Sequence, residues 1–163
     1  AAKNNVVPIT IVCDPDIAAG QFRACQAGGA EAGRDLAFGQ GVGLVREVVV
    51  ADSDEEALAI GRESGCFLWN NFFEPFGFNA AIARLDEDYR AVPNNFEAMV
   101  ERGLTICGTP DSVSRKFEQL FKTLPAEYMW LYTYNELVPH KASMRSFELL
   151  TEKVLPNFTD AIS

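Results

Sequence analysis

Residues 44–57, LVREVVVADSDEEA, contain a predicted strand that is followed directly by a predicted helix, and this unit decides the fold class. The first part, residues 44–50, is rich in β-branched apolar side chains, which predicts a strand. The polar part that follows carries a capping box, because Ser53 is answered by Glu56 three residues later. A helix therefore begins directly behind the strand and is predicted to run toward Gly65.

Two further segments are predicted to be strands. Residues 6–12 form a short apolar run of the kind that is buried on both faces of a parallel sheet, and residues 128–134 are the third candidate. Within the strand at 44–50, the charged Arg46 and Glu47 are expected to be exposed, and the three valines that follow are expected to be buried.

Helices are predicted behind the other strands as well. Asp14 caps a helix whose first residue is Pro15 and which ends at a glycine in the range 29–33. Thr109 and Pro110 make a second start of the same kind. The last helix begins at about residue 139 and has one predicted apolar stripe: Met144, Phe147, Leu150 and Val154.

Strands that alternate with helices of this length predict an α/β fold with a parallel sheet. Three strands are too few for a doubly wound fold or for a complete eight-stranded barrel, which takes about 250 residues. The 163 residues are therefore predicted to be a single domain, 1–163, that forms part of a (β/α)8 TIM-type barrel.

Composition narrows the choice of partners. Lys and Arg total 14 against 23 for Asp and Glu, a net charge of -9. The negative electrostatic field of such a chain repels phosphate backbones and anionic lipid, which argues against nucleic acid and membranes as partners. The cysteines are singly spaced without a CxxC pair, which predicts no metal site and favours reduced thiols in a cytoplasmic protein: Cys13, Cys25, Cys66 and Cys107.

An aromatic stretch, residues 66–78, precedes an acidic amphipathic stretch, residues 79–101. The first has no regular period and is interpreted either as the wall of an apolar pocket or as core or subunit packing. The second is interpreted as a surface insertion of short helices.

The chain carries no nucleotide-binding glycine motif or nucleophile elbow, and its only histidine, His140, is interpreted as a solvated side chain.

Three segments occur in an order that resembles one known family. They are residues 48–57 (VVVADSDEEA), residues 107–113 (CGTPDSV) and residues 146–158, where SFELL and KVLPNF frame the last helix. This order resembles the C-terminal part of the bacterial-luciferase-like, flavin-dependent monooxygenases. Residues 1–8, AAKNNVVP, look like the end of that family's helix six running into strand six.

The resemblance implies that the chain covers barrel strands six to eight, with an insertion between strands seven and eight at about residues 65–104. It also implies an enzyme that uses reduced FMN, supplied by a separate flavin reductase, and O2 to oxidise a small organic molecule such as an aldehyde or ketone. The family's first five strands lie outside this sequence. The implied partners are therefore the missing N-terminal half or a second copy in a homo-oligomer.

Active sites of such barrels lie at the carboxyl ends of the strands. No catalytic residue is assigned, because the flavin carries most of the chemistry. The resemblance implies a substrate pocket at Phe72 and Phe73, and four cofactor-binding residues: Cys13, Asp14, Trp69 and Tyr134.

Two other functions stay open at this point. One is a half-barrel without turnover that associates with another chain. The other is a flavin-binding relative that holds the cofactor without oxygen chemistry.

Overall fold

The described sheet has four parallel strands, β1 (Ile9–Thr10), β2 (Gly43–Val50), β3 (Thr105–Gly108) and β4 (Tyr128–Tyr132). They come from a computed structural model that describes residues 1–64, 66–133 and 137–158. β2 pairs with all three other strands. β4 pairs with residues 43–47 along one edge of β2. β1 and β3 pair with the other edge, β1 with residues 43–44 and β3 with residues 47–50.

The described helices are α1 (Pro15–Ala30), α2 (Asp54–Ser64), α3 (Asn79–Ile82), α4 (Phe96–Glu101), α5 (Pro110–Thr123) and α6 (His140–Leu149). The predicted helix starts are confirmed. Asp14 and Thr109 cap α1 and α5, each with proline at the first helical position. The Ser53 hydroxyl accepts the Glu56 N–H at 3.1 Å, as the capping box predicts.

Two helix layers bury the sheet. α5 and α6 cover one face, where Val48 and Val50 pack against Val113 and Phe117. α1 extends this layer over the start of β2. α2 and α4 cover the carboxyl end of the other face, around Val49.

The rest of that second face is open in the part of the chain that the structure describes. Ile9, Tyr128 and Trp130 are all exposed there. The prediction that residues 6–12 are buried on both faces is wrong for the described chain, since Val6 and Val7 are also exposed. The physical reason is that β1 is short and has a partner on one edge only, β2.

Two details of the predicted burial are also wrong. Arg46 was expected to be solvated but is only 1% exposed. It lies on β2 between the residues that pair with β1 (43–44) and those that pair with β3 (47–50), and its side chain fills the gap between these two strands. In the last helix, Met144 and Phe147 face solvent. The buried side of that helix and the π-helical turn behind it is made by Ser146, Leu149, Leu150 and Val154.

The segment that we call the insertion, residues 66–104, consists of short helical pieces, which the sequence predicted for residues 79–101. A π-helical turn (Trp69–Phe73) and a 3-10 turn (Glu74–Phe76) come first, and α3 and α4 follow. β3 follows the insertion and was not predicted as a strand, because four residues before a helix cap carry too little periodicity to be recognised.

Candidate functional site

The carboxyl end of β1 lies against the insertion. The Cys13 N–H donates to the Ala81 carbonyl at 2.8 Å, and the Cys13 thiol donates to the Ile11 carbonyl. Cys13 is 8% exposed, and this burial raises the pKa of its thiol. The side chain is therefore a neutral, apolar part of the site near neutral pH.

Trp69 belongs to the same buried cluster as Cys13. Its indole N–H donates to the Asn79 carboxamide oxygen at 2.8 Å, and both side chains are buried. The π-helical turn presents Trp69 to the cluster and Phe72 to solvent. The structure thus brings together two of the predicted site residues, Cys13 and Trp69.

Aromatic rings continue outward from Trp69. The Phe73 ring lies 5.3 Å from the Trp69 ring, and Phe72 and Phe78 each lie 5.2 Å from Phe73. Phe76 extends the series from Phe72 at 6.0 Å. Phe73 is half-buried and Phe72 is 55% exposed, so the two predicted pocket residues join the buried cluster to the surface.

Asp14 anchors the insertion to α1. One carboxylate oxygen accepts the N–H groups of Asp16 and Ile17, and the other accepts the Leu85 N–H at 3.0 Å. These hydrogen bonds, led by that of Ile17, hold the pKa of Asp14 below its ordinary value. In this geometry both oxygens are engaged with the chain itself.

An ion pair fixes the turn that Asp14 contacts. Arg102 donates to both oxygens of Glu87, at 2.5 and 2.8 Å, and also to the Ile82 carbonyl at 2.9 Å. The Arg102 bonds, with the Arg84 N–H, lower the pKa of Glu87 to about 2. Arg102, directly behind α4, therefore holds α3 and the turn at residues 84–87 together.

Solved structures share this arrangement of elements. The chain aligns over 96% of its length with 44% of the oxygenating constituent of 3,6-diketocamphane monooxygenase from Pseudomonas putida, a type II Baeyer-Villiger monooxygenase in complex with FMN, at TM-score 0.76 and 22% identity. The monooxygenase RslO1 from Streptomyces bottropensis aligns with 98% of the chain over 44% of its own, at TM-score 0.73 and 14% identity. The coenzyme F420 dependent tetrahydromethanopterin reductase from Methanopyrus kandleri aligns with 93% of the chain over 45% of its own, at TM-score 0.53 and 17% identity.

The chain has the α/β fold of a part of these solved structures. The predicted resemblance is thereby confirmed at the level of the fold. The partial barrel spans under half the length of the solved structures it matches. At the level of sequence, no protein-family model and no curated protein matches the chain.

The two long helices that start at the carboxyl ends of β1 and β3 already hold carboxylates. Asp14 caps α1, and at α5 the Asp54 carboxylate accepts the Thr109 N–H at 2.7 Å and the Ser112 hydroxyl at 3.1 Å. A helix N-terminus is where a phosphate would bind. The described part of the chain therefore offers a group of apolar rings, and its α1 and α5 termini do not offer a phosphate site.

Sequence reasoning missed Arg46. Its guanidinium donates to the carbonyls of Val45 and Val12, at 2.6 and 3.1 Å, and burial lowers its pKa. The Nε atom is buried without a hydrogen-bond partner in the part of the chain that the structure describes. No pattern in the strand distinguishes such an arginine from a solvated one.

A narrow cleft lies at the carboxyl ends of β2 and β4. Glu47, Tyr132, Ser143 and Ser146 contribute to its lining, and it encloses about 10 Å³, which is room for one water molecule. The predicted site residue Tyr134 is close to it in sequence but lies outside the described residues.

Among residues 1–64, 66–133 and 137–158, no three His, Cys, Asp or Glu side chains are grouped as metal ligands. No described helix has the length and apolar character needed to cross a bilayer.

Proposed function

We propose that the protein to which this chain belongs is an FMN-dependent monooxygenase that oxidises a small organic molecule such as an aldehyde or ketone. The observation that supports it most is the alignment of 96% of the chain with an FMN-bound monooxygenase at TM-score 0.76. In this proposal β1, β2 and β4 are barrel strands six, seven and eight, β3 is a short additional strand on the edge of β2, and residues 65–104 are the insertion between strands seven and eight. A separate reductase supplies the reduced flavin, and the protein is cytoplasmic.

The apolar residues at the carboxyl end of β1 support a contact with the ring system of FMN. Phe73 packs on the buried Trp69, and Cys13 is a buried neutral thiol. In the proposal, Cys13, Trp69 and Tyr134 contact the flavin, and Asp14 holds the turn at Leu85 in place beside it.

When bound, reduced FMN supplies two electrons to O2, so that one oxygen atom enters the substrate and the other leaves as water. The residues of the chain position the substrate and the cofactor, and they exclude water from the site. The buried cluster around Trp69 keeps the site apolar, and the pair between Arg102 and Glu87 stabilises the turn that Asp14 contacts.

The test uses the full-length protein with chemically reduced FMN, ¹⁸O2 and a panel of aldehydes and ketones. The proposal predicts a product that has gained one labelled oxygen. If FMN binds but no product is labelled, the protein is a flavin-binding relative. If FMN does not bind, the alternative of a non-catalytic half-barrel is favoured, and the open sheet face at Tyr128 and Trp130 would then be its contact with another chain.

A further inference from the structure

Arg46 is a buried cation without a counter-ion in the described part of the chain. Its side chain is 1% exposed. The guanidinium donates to the carbonyls of Val45 and Val12, at 2.6 and 3.1 Å, and its Nε atom has no partner. Among residues 1–64, 66–133 and 137–158, no carboxylate forms an ion pair with it. A full positive charge is therefore enclosed next to the carboxyl end of β1.

The stability of the fold does not explain this charge. Enclosing a guanidinium away from water costs free energy, and hydrogen bonds to neutral carbonyls offset that cost only in part. An apolar side chain of similar volume would fill the gap between β1 and β3 without this cost. The charge of Arg46 therefore points to a function in the site beside it.

The field of Arg46 acts on the carboxyl end of β1. Val12, whose carbonyl accepts from Arg46, directly precedes Cys13. Burial raises the pKa of the Cys13 thiol, and the positive charge of Arg46 is the larger of two effects that oppose this rise. The other effect comes from Arg102, whose charge is already paired with both oxygens of Glu87. Of these two cations, Arg46 is the uncompensated one.

The ring system of FMN would respond to such a field in one redox state only. Oxidised FMN has a neutral ring system, whereas two-electron reduction leaves one negative charge on it at neutral pH. A fixed positive charge in a site that excludes water favours the negative form. The phosphate carries the same charge in both states, so that it does not contribute to the difference.

From these observations we propose that Arg46 makes the site prefer reduced, anionic FMN over oxidised FMN. The inference rests on the proposed function, in which the ring system contacts Cys13 and Trp69. Arg46 is a positioning residue, because it is buried and acts through its charge across Cys13. It gives the carboxyl end of β1 a charge complementary to the form of FMN that reacts with O2.

The test measures the Kd of oxidised FMN and, without oxygen, the Kd of dithionite-reduced FMN by calorimetric titration of the full-length protein. The wild type is expected to bind reduced FMN at least about tenfold more tightly. Arg46→Met keeps the volume and should lower this ratio about tenfold, which corresponds to a fall of about 30 mV in the two-electron potential of bound FMN. Arg46→Lys keeps the charge and should retain most of the ratio.

Arg62→Met is the matched control, because it removes the same charge from an exposed side chain on α2. It should leave the ratio unchanged. An equal ratio in the wild type and Arg46→Met, an equal fall in Arg62→Met, or a ratio in Arg46→Lys as low as in Arg46→Met would each overturn the proposal. So would equal weakening of both redox forms in Arg46→Met, which would show that Arg46 only shapes the site.

The same titrations separate this inference from the proposed function. If the wild type binds FMN and the ratio does not depend on Arg46, the function stands and the inference fails. If the wild type binds FMN in neither redox state, both fail. A ratio that falls in Arg46→Met and recovers in Arg46→Lys supports both.

Discussion

The contact between Trp69 and Asn79 is a single polar bond inside an apolar cluster. Both side chains are buried, and the indole N–H and the carboxamide oxygen are 2.8 Å apart. A buried donor that loses its partner costs more free energy than the bond contributes when formed. At the scale of one residue, Asn79 therefore determines whether Trp69 can remain in the site.

Asn79→Ala is expected to lower the free energy of unfolding by about 1–3 kcal/mol, because the indole N–H loses its acceptor. In a Trp69→Phe background the same substitution should cost clearly less, since no donor remains to be satisfied. Urea unfolding of the four proteins measures the difference. Asn71→Ala, at an exposed position, serves as the control, and equal costs in both backgrounds would show that the bond does not stabilise the fold.

Arg46 illustrates a limit of sequence reasoning. An arginine beside a glutamate in a strand is ordinarily solvated, and that expectation was wrong because the arginine fills the gap between β1 and β3. The gap exists only after two strands far apart in sequence have paired with β2. No local pattern could reveal it.

Arg46→Met is expected to leave the free energy of unfolding within about 1.5 kcal/mol of the wild type, because it removes a buried guanidinium whose Nε has no partner among the described residues and keeps the volume. Arg46→Ala should cost about 2–4 kcal/mol through the cavity that it leaves. Chemical denaturation distinguishes the two. A methionine variant as unstable as the alanine variant would show that the guanidinium itself is required.

At the scale of elements, the parts predicted from sequence are those with local causes. Ser53, Asp14 and Thr109 cap helices through bonds to residues two or three positions away, so their patterns are visible in the sequence. β3 and the buried side of α6 depend on which neighbours pack against them. For that reason β3 was missed, and the α6 stripe was misplaced toward Met144 and Phe147.

The packing of α2 on α4 depends on a glycine. A Cβ at Gly61 would lie 2.2 Å from the Phe96 ring, so Gly61→Ala is expected to cost about 1–3 kcal/mol by thermal or urea unfolding. Gly20→Ala in α1 is the matched control, because nothing lies within 4 Å of its Cβ position, and it should stabilise by about 0.4–1 kcal/mol. If Gly61→Ala were neutral, the two helices would not be in this contact.

The packing within the insertion should depend on pH. Arg102 holds the pKa of Glu87 at about 2, below the ordinary 4.5. A lowered carboxylate pKa contributes stability above pH 4.5, and this contribution is lost as the pH falls toward 2. Trp69 fluorescence in a Trp130→Phe background should therefore report loosening of the insertion in that window.

In Glu87→Gln this part of the acid transition should disappear, and the insertion should be looser at neutral pH. Glu101→Gln is the control, because its ion pair with Arg84 is exposed on both sides and contributes little. Identical acid profiles of the wild type and Glu87→Gln would show that the pair does not stabilise the insertion.

At the scale of the whole molecule, a parallel sheet ordinarily has both faces covered. Here one face is covered by helices, and part of the other, with Tyr128 and Trp130, is open in the described chain. The α/β class and the partial barrel could be predicted because strand and helix alternate along the sequence. The residues proposed to contact the flavin could be named only through the resemblance, since they come together from the segment behind β1 and from a segment without regular period.

The central claim is that the full-length protein binds FMN against Trp69. It is tested most directly by titrating FMN with the full-length protein and following flavin fluorescence, in the wild type, in Trp69→Leu and in Phe147→Leu as a control. The account predicts saturable binding that Trp69→Leu weakens at least about tenfold and that Phe147→Leu leaves unchanged. Absence of FMN binding in the wild type, or equal affinity in the wild type and Trp69→Leu, would contradict it.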